Sequence, residues 1–256
     1  MMILASGKGG SGKSTFTAIM ARALTKRNFR VLVLDMDESN LGLHRLMGLD
    51  HPVHLLDFLG GKKGLREKMK PSFPGNASNE SLFDAKITLD TLSPEWTSNA
   101  DGIHLLVVGK IHDFGEGCAC PMGGLTRQFL SRLVIGKRDI VIIDTTAGVE
   151  HFGRGIDRFC DLIVGIVDPT YESFIMADRM QAMAQSAGAE IRFVFNKVDD
   201  ASEMVMEEHF NAGGVMARIP HLASLYKAGL EGKPIAEDVD AIEPIVQYIE
   251  TVTGHP

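Results

Sequence analysis

Met2-Ile3-Leu4-Ala5-Ser6-Gly7-Lys8-Gly9-Gly10-Ser11-Gly12-Lys13-Ser14-Thr15 joins an apolar run to a glycine-rich turn and the start of a helical segment. From Gly7 to Ser14 the spacing is G-x-x-x-x-G-K-[ST], the sequence form of a loop that grips phosphate when a strand precedes it and a helix follows. Glycines tolerate the backbone angles that turn successive N–H groups inward on an anion. The positive end of the following helix adds to the attraction. In such a loop Lys13 bridges the β- and γ-phosphates and Ser14 offers its hydroxyl to Mg²⁺. Gly7, Gly9, Gly10, Ser11, Gly12 and Thr15 complete the cradle. Lys8 is extra, because the spacing alone has no use for a cation at its second position. Glycine-rich turns with a lysine also occur in loops that bind nothing, but the order strand, loop, helix weighs against that here.

Beyond the loop, strands and helices alternate. A helix is predicted from Ser14 to about Arg27, followed by Val31-Leu32-Val33-Leu34-Asp35, an unbroken apolar run of the kind found in a parallel strand buried on both faces. Further strands are predicted at 103–108, 140–144, 162–168 and 191–196. With helices as right-handed crossovers, these give an α/β fold with a doubly wound, mostly parallel sheet. At 256 residues and 45% hydrophobic content, residues 1–256 suit one domain with one substantial core. Between about 71 and 101 the pattern lapses into Pro, Gly, Ser, Asn and Asp, which predicts an irregular insertion on the surface.

In an open α/β sheet the ligand lies beyond the carboxyl ends of the strands, and these strands end on residues with chemistry to offer. One closes on Asp35-Met36-Asp37. Another is Ile142-Ile143-Asp144-Thr145-Thr146-Ala147-Gly148, an acid after an apolar run, the arrangement that holds Mg²⁺ through water. A buried acid is costly unless paired or near a metal, which favours function for Asp144. A third closes on Phe195-Asn196-Lys197-Val198-Asp199, which reads as the guanine-selecting N-K-x-D; the blander reading of Asp199 is a helix N-cap.

Charge and cysteines narrow the classes. A net charge of −7 gives no general attraction to nucleic acid or to an acidic membrane. Nothing approaches the roughly 20 apolar residues that cross a bilayer, and the short apolar N-terminus lacks a charged leader, so a cytoplasmic protein is expected. Gly117-Cys118-Ala119-Cys120-Pro121 sets two thiols at i and i+2, which in an extended segment share one face and can chelate one soft metal. Two thiolates are half of a tetrahedral Zn²⁺ site, and a two-fold dimer would supply the other pair. Two incidental cysteines are the alternative, since a disulfide suits neither a reducing cytosol nor this spacing. Cys160, in Phe159-Cys160-Asp161-Leu162, reads as a small core residue.

The loop with its early lysine resembles the deviant Walker A motif of the class that includes MinD, ParA and the nitrogenase iron protein. That resemblance implies a homodimer enclosing ATP, with Lys8 reaching the partner's nucleotide. It also implies that Asp37 orients or activates the attacking water, with Asp35 supporting the metal shell. Adenine would be enclosed by the strand end at Asn196 and Lys197 and by a later segment opening at Ile219 and Pro220, which favours ATP over GTP.

Gly115-Glu116-Gly117-Cys118-Ala119-Cys120-Pro121, followed by Asp144-Thr145-Thr146-Ala147-Gly148-Val149-Glu150-His151-Phe152-Gly153-Arg154-Gly155, resembles more narrowly the CooC family of carbon monoxide dehydrogenase accessory proteins. The resemblance extends over most of the chain. It implies an ATPase that dimerises with nucleotide, holds a metal between its subunits at Cys118 and Cys120, and matures the nickel-containing cluster of carbon monoxide dehydrogenase. The metal stays open between Ni²⁺, Zn²⁺ and a bridging [4Fe–4S] cluster, which four thiolates hold equally well.

Two other classes compete: an iron–sulfur scaffold or electron-transfer protein, and a spatial-organising ATPase of the MinD or ParA type. Against the latter, 241–254 contains Glu243 and Glu250 but no Lys or Arg, so it is no basic membrane helix. His151 either approaches the γ-phosphate or packs a loop beside Arg154. His44, His51, His54, His104 and His112 lack regular ligand spacing and read as surface or loop residues.

Overall fold

The computed structural model describes residues 1–68, 82–83, 85–110, 120–210 and 214–254, with residues 120 and 121 described by backbone alone. Strand β1 (Met2–Gly7) enters the glycine loop, and helix α1 (Lys13–Lys26) leaves it. Strand β2 (Arg30–Asp35) is followed by three short helices, α2 (Leu43–Met47), α3 (Leu55–Phe58) and α4 (Gly61–Lys68). Strands β3 (Ser98–Ala100) and β4 (Ile103–Val107) precede α5 (Cys120–Arg132), β5 (Asp139–Asp144) and α6 (Glu150–Gly153). Then come β6 (Leu162–Val167), α7 (Tyr171–Ala187), β7 (Ile191–Val198) and α8 (Asp200–Phe210). The chain closes with β8 (Val215–Pro220), α9 (Ala223–Glu231) and α10 (Glu243–Thr253).

The described strands form an eight-stranded sheet in the order β3-β4-β2-β5-β1-β6-β7-β8. Every pairing is parallel except β3 with β4. Successive side chains point to opposite faces, so each apolar run feeds two cores. Leu4, Leu32, Leu34, Val141 and Ile143 pack toward α5, α7 and the α3–α4 pair. Ile3, Ala5, Val31, Val33, Ile140 and Ile142 pack toward α1 and α10. Helices on both faces are what such two-sided strands require. Truncating a fully buried member such as Leu34 to Ala would cost about 2–5 kcal/mol.

Two strands lie outside the sequence expectation. β8 is an edge strand in which only Ala217 and Ile219 are buried, so it presents no continuous apolar run. β3 is a three-residue antiparallel edge inside the stretch expected to be an irregular surface insertion. That expectation needs correcting over residues 85–101. Ile87, Leu89 and Trp96 are buried there, and the Trp96 ring meets Phe129 of α5 edge-on at 6.2 Å. Isolated apolar residues in a polar stretch were enough to seat it on the core. Residues 71–81 and 84 of the expected insertion lie outside the described residues. The C-terminal stretch is a docking helix: Ile245, Val246 and Ile249 of α10 are all in the core.

Parallel strands deliver their carboxyl ends to one side of the sheet. Ala5 and Asp35 both stand in register with Asp144, and β1 lies between β5 and β6. The glycine loop therefore opens at the same edge as the acids of β2 and β5.

Candidate functional site

Gly12 is the N-cap of α1 with φ +99°, a left-handed angle that glycine adopts without penalty. A Cβ added there would lie 2.2 Å from the Asn196 amide nitrogen. That nitrogen donates to the Ser11 carbonyl at 2.7 Å, and the Lys197 ammonium donates to the Gly10 carbonyl. Asn196 and Lys197 thus brace the loop, and both line the cavity that it opens into. The Lys13 ammonium, on a residue 6% exposed, donates to the carbonyls of Gly7 at 3.3 Å and Lys8 at 3.2 Å. Burial holds its pKa below the ordinary lysine value, against the pull of Asp144 and Asp37. Such a desolvated cation meets a phosphate oxygen with a stronger, charge-assisted bond than it makes with a carbonyl.

The loop floors a cavity of about 510 Å³, within the usual range for a ligand pocket. One end is lined by Gly10, Gly12, Lys13, Ser14 and Thr15, and one side by Asp37, Ser39 and Asn40. The far end is apolar, with Pro220, Leu222, Leu225, Tyr226 and Leu230. Polar at one end and apolar at the other, it suits a nucleotide laid from phosphate to base. Pro220 joins this lining, whereas Ile219, 1% exposed, belongs to the core beside α1 and α10.

The acids divide the labour. Asp144 is fully buried and accepts the Ser14 hydroxyl at 2.6 Å, while Asn40 donates to the same hydroxyl at 2.6 Å. Burial, and then the neighbouring Asp35, push its pKa up to about 7. A desolvated carboxylate paired with a hydroxyl is a hard-oxygen donor set, and it fits Mg²⁺. Asp35, expected in the metal shell, has both oxygens engaged by the protein. Oδ1 accepts the Asp37 N–H at 3.0 Å and Oδ2 takes the Lys110 ammonium at 2.7 Å. Burial still lifts its pKa to about 6. Asp37 is half-buried on the cavity wall, its Oδ1 accepting the N–H and hydroxyl of Ser39 at 2.9 and 2.7 Å. The sequence marks Lys110 only as a lysine closing the apolar run Leu105-Leu106-Val107-Val108-Gly109.

Lys8 places its ammonium 3.6 Å from the Asp168 carboxylate of its own chain. Asp199 caps α8, its Oδ1 accepting the Ser202 N–H at 2.9 Å and hydroxyl at 2.7 Å, so this carboxylate is engaged by the helix rather than by a base. His151 is buried against Phe152, with its pKa lowered to about 4 by burial and then by Arg154 and Lys13. Burial thus favours the neutral ring, which packs on Phe152 with centroids 4.5 Å apart. His44, His51 and His54, expected to be scattered, meet edge to face with ring centroids 4.7 and 5.1 Å apart. Cys160 is a partly buried packing residue whose thiol donates to the Ile156 carbonyl at 3.4 Å.

Cys118 lies outside the described residues. Cys120 is the first residue of α5 rather than part of an extended segment, because Pro121 suits the first turn of a helix. Among the described residues no group of three or more His, Cys, Asp or Glu is placed to hold a metal ion. Also among them, no helix is long and apolar enough to cross a membrane.

Comparison with known proteins bears on the same site. Residues 2–235 match the family described as the CobQ/CobB/MinD/ParA nucleotide binding domain. The uncharacterized ATP-binding protein MJ0084 of Methanocaldococcus jannaschii is 42% identical, with 97% of this chain and 99% of that one covered. The carbon monoxide dehydrogenase accessory protein CooC of Rhodospirillum rubrum is 30% identical, covering 77% of this chain and 74% of that one. Among solved structures, the septum site-determining protein MinD from Pyrococcus horikoshii, complexed with Mg-ADP, superposes with a TM-score of 0.64. It shares 19% identity, with 99% of this chain and 96% of that one covered, and the likeness is one of fold.

Proposed function

The chain belongs to the CobQ/CobB/MinD/ParA family of nucleotide-binding domains, and on that footing we propose that it is an ATP-hydrolysing metallochaperone. It acts as a homodimer that closes on nucleotide, holds a soft metal between the Cys118 and Cys120 pairs of two chains, and supports nickel insertion into the active-site cluster of carbon monoxide dehydrogenase. The observation that carries the ATPase half is one cavity walled by Lys13, Ser14 and Asp37 at one end and apolar at the other, with the buried Asp144 accepting the Ser14 hydroxyl behind the wall. The cysteine motif and the similarity to CooC support the metal half.

In this reading the loop amides and Lys13 hold the phosphates, while Ser14 and Asp144 hold Mg²⁺, which neutralises charge on them. Asp37 orients the attacking water, and Lys8 leaves Asp168 to reach the nucleotide of the partner. Adenine is favoured over guanine because Asp199, the acid that would read guanine, is committed to capping α8. The apolar side of α10 is used up in the core, which disfavours a membrane-seeking organiser. A bridging [4Fe–4S] cluster remains the second reading of four thiolates, and its visible absorption distinguishes it from a single ion.

Activation of nickel-deficient carbon monoxide dehydrogenase, with and without this protein, ATP and nickel, tests the proposal. Stimulation requiring all three is expected. No stimulation in any combination would contradict the client and the cargo.

A further inference from the structure

Lys110 and Asp35 form a buried ion pair, 3% and 2% exposed, at the carboxyl ends of adjacent strands β4 and β2. A buried pair is seldom more stable than an apolar pair of the same volume, so its position is more informative than its existence. Both members converge on one peptide residue. Asp35 Oδ1 accepts the Asp37 N–H at 3.0 Å, and the Lys110 ammonium donates to the Asp37 carbonyl. The same ammonium reaches Asp35 Oδ2 at 2.7 Å, which closes the ring of contacts. Asp37 is thereby held at both ends of its backbone, and Ser39 holds its carboxylate.

We infer that Lys110 is a positioning residue for Asp37: through Asp35 and the Asp37 carbonyl it fixes where the Asp37 carboxylate meets the nucleotide cavity. It does so for catalysis provided Asp37 orients the attacking water, as proposed above. Lys110 is too deep to contact the phosphates and does not line the cavity. Its effect therefore falls on turnover and not on nucleotide affinity. A misplacement on the order of 1 Å at such a residue lowers the rate by about a hundredfold.

Four variants test this: Lys110→Met, the double variant Lys110→Met with Asp35→Asn, Asp35→Asn alone, and Asp37→Asn. For each, kcat and KM for ATP, ADP affinity by equilibrium dialysis, and amide hydrogen exchange over residues 35–40 are measured. Lys110→Met is expected to lower kcat by about tenfold to a hundredfold while leaving KM and ADP affinity within about threefold. Exchange at the Asp37 amide is expected to quicken. Lys110→Met leaves Asp35 buried without its counter-ion, so the double variant keeps the test open if the single one folds poorly. It is expected to regain stability and remain slow.

Wild-type turnover in the double variant, or an unchanged Asp37 amide in either Lys110 variant, would overturn the positioning role. Asp37→Asn hydrolysing at the normal rate would instead reject the catalytic reading of Asp37. Amide exchange, which does not depend on that reading, then decides whether Lys110 fixes this segment.

Discussion

The phosphate loop and the cysteine motif are both short and both specific, yet the described residues gather supporting groups around only the first. Around Gly12 the cradle is built from backbone, and its supports come from strand ends already fixed by the core: Asn196 and Lys197 from β7 and Asp144 from β5. The cysteine motif offers two side chains, one of them opening α5, and two thiolates are half of what a tetrahedral metal needs. A site made from the backbone of a parallel sheet exists as soon as the sheet does, whereas a site made from side chains on a two-fold axis waits for a second copy.

Lys13→Ala should break the first region and spare the second. Nucleotide affinity is expected to fall by about a hundredfold to a thousandfold, on the scale of other buried charge-stabilising donors, while Cys120→Ser leaves it unchanged. Titration calorimetry with ADP checks both, and equal losses in the two variants would erase the distinction.

Lys8 tests the boundary between one chain and two. Within the chain it faces Asp168 at 3.6 Å, so it is not needed to build the cavity. Lys8→Ala is expected to bind nucleotide as a monomer and to weaken dimerisation with a slowly hydrolysed ATP analogue by about thirtyfold or more. Sizing chromatography reads the result, and an undiminished dimer would remove the cross-chain role.

Smaller effects sharpen the picture of a preformed cradle. Gly12→Ala forces a side chain into a left-handed angle and against the Asn196 amide, and should cost about 2 kcal/mol, or about 4–8 °C in Tm, without nucleotide. An unchanged melting curve would mean that the loop is not held in this shape. His151 should make its mark only in acid. Its folded pKa is near 4, so below about pH 6.5 the unfolded chain takes up a proton that the folded chain refuses. Stability is then lost progressively as pH falls from about 6.5 toward 4, by up to about 2 kcal/mol at pH 5. Urea midpoints at pH 7 and pH 5 should differ less for His151→Phe than for the wild type; equal differences would reject the assignment.

Local patterns were legible in the sequence and distant ones were not. Strands β1, β2 and β4–β7 could be read because burial on both faces leaves a run that is apolar throughout or nearly so, with His104 in β4 and Arg192 in β7 as interruptions. β8 could not, because as an edge strand it alternates Ala217 and Ile219 with partly exposed residues. Residues 85–101 looked like surface because Ile87, Leu89 and Trp96 are sparse, and sparse anchors carry no periodicity. At the site, the glycine loop, Asp37 and Asp144 are contiguous motifs. The Lys110–Asp35 pair joins residues 75 positions apart, and only the β2–β4 pairing brings them together. Likewise the rings of His44, His51 and His54 meet without any ligand-like spacing. For Asp199 the N-K-x-D motif matched while the helix that follows took its carboxylate.

Metal stoichiometry tests the central claim most directly. Zn²⁺ or Ni²⁺ is titrated into the protein with and without a slowly hydrolysed ATP analogue, in the wild type and in Cys118→Ser and Cys120→Ser. One metal per two chains is predicted, bound more tightly with the analogue by linkage, and lost in either cysteine variant because symmetry removes two of four thiolates. One metal per chain, indifferent to both substitutions, would contradict a shared site and leave the nucleotide cradle without its metal partner.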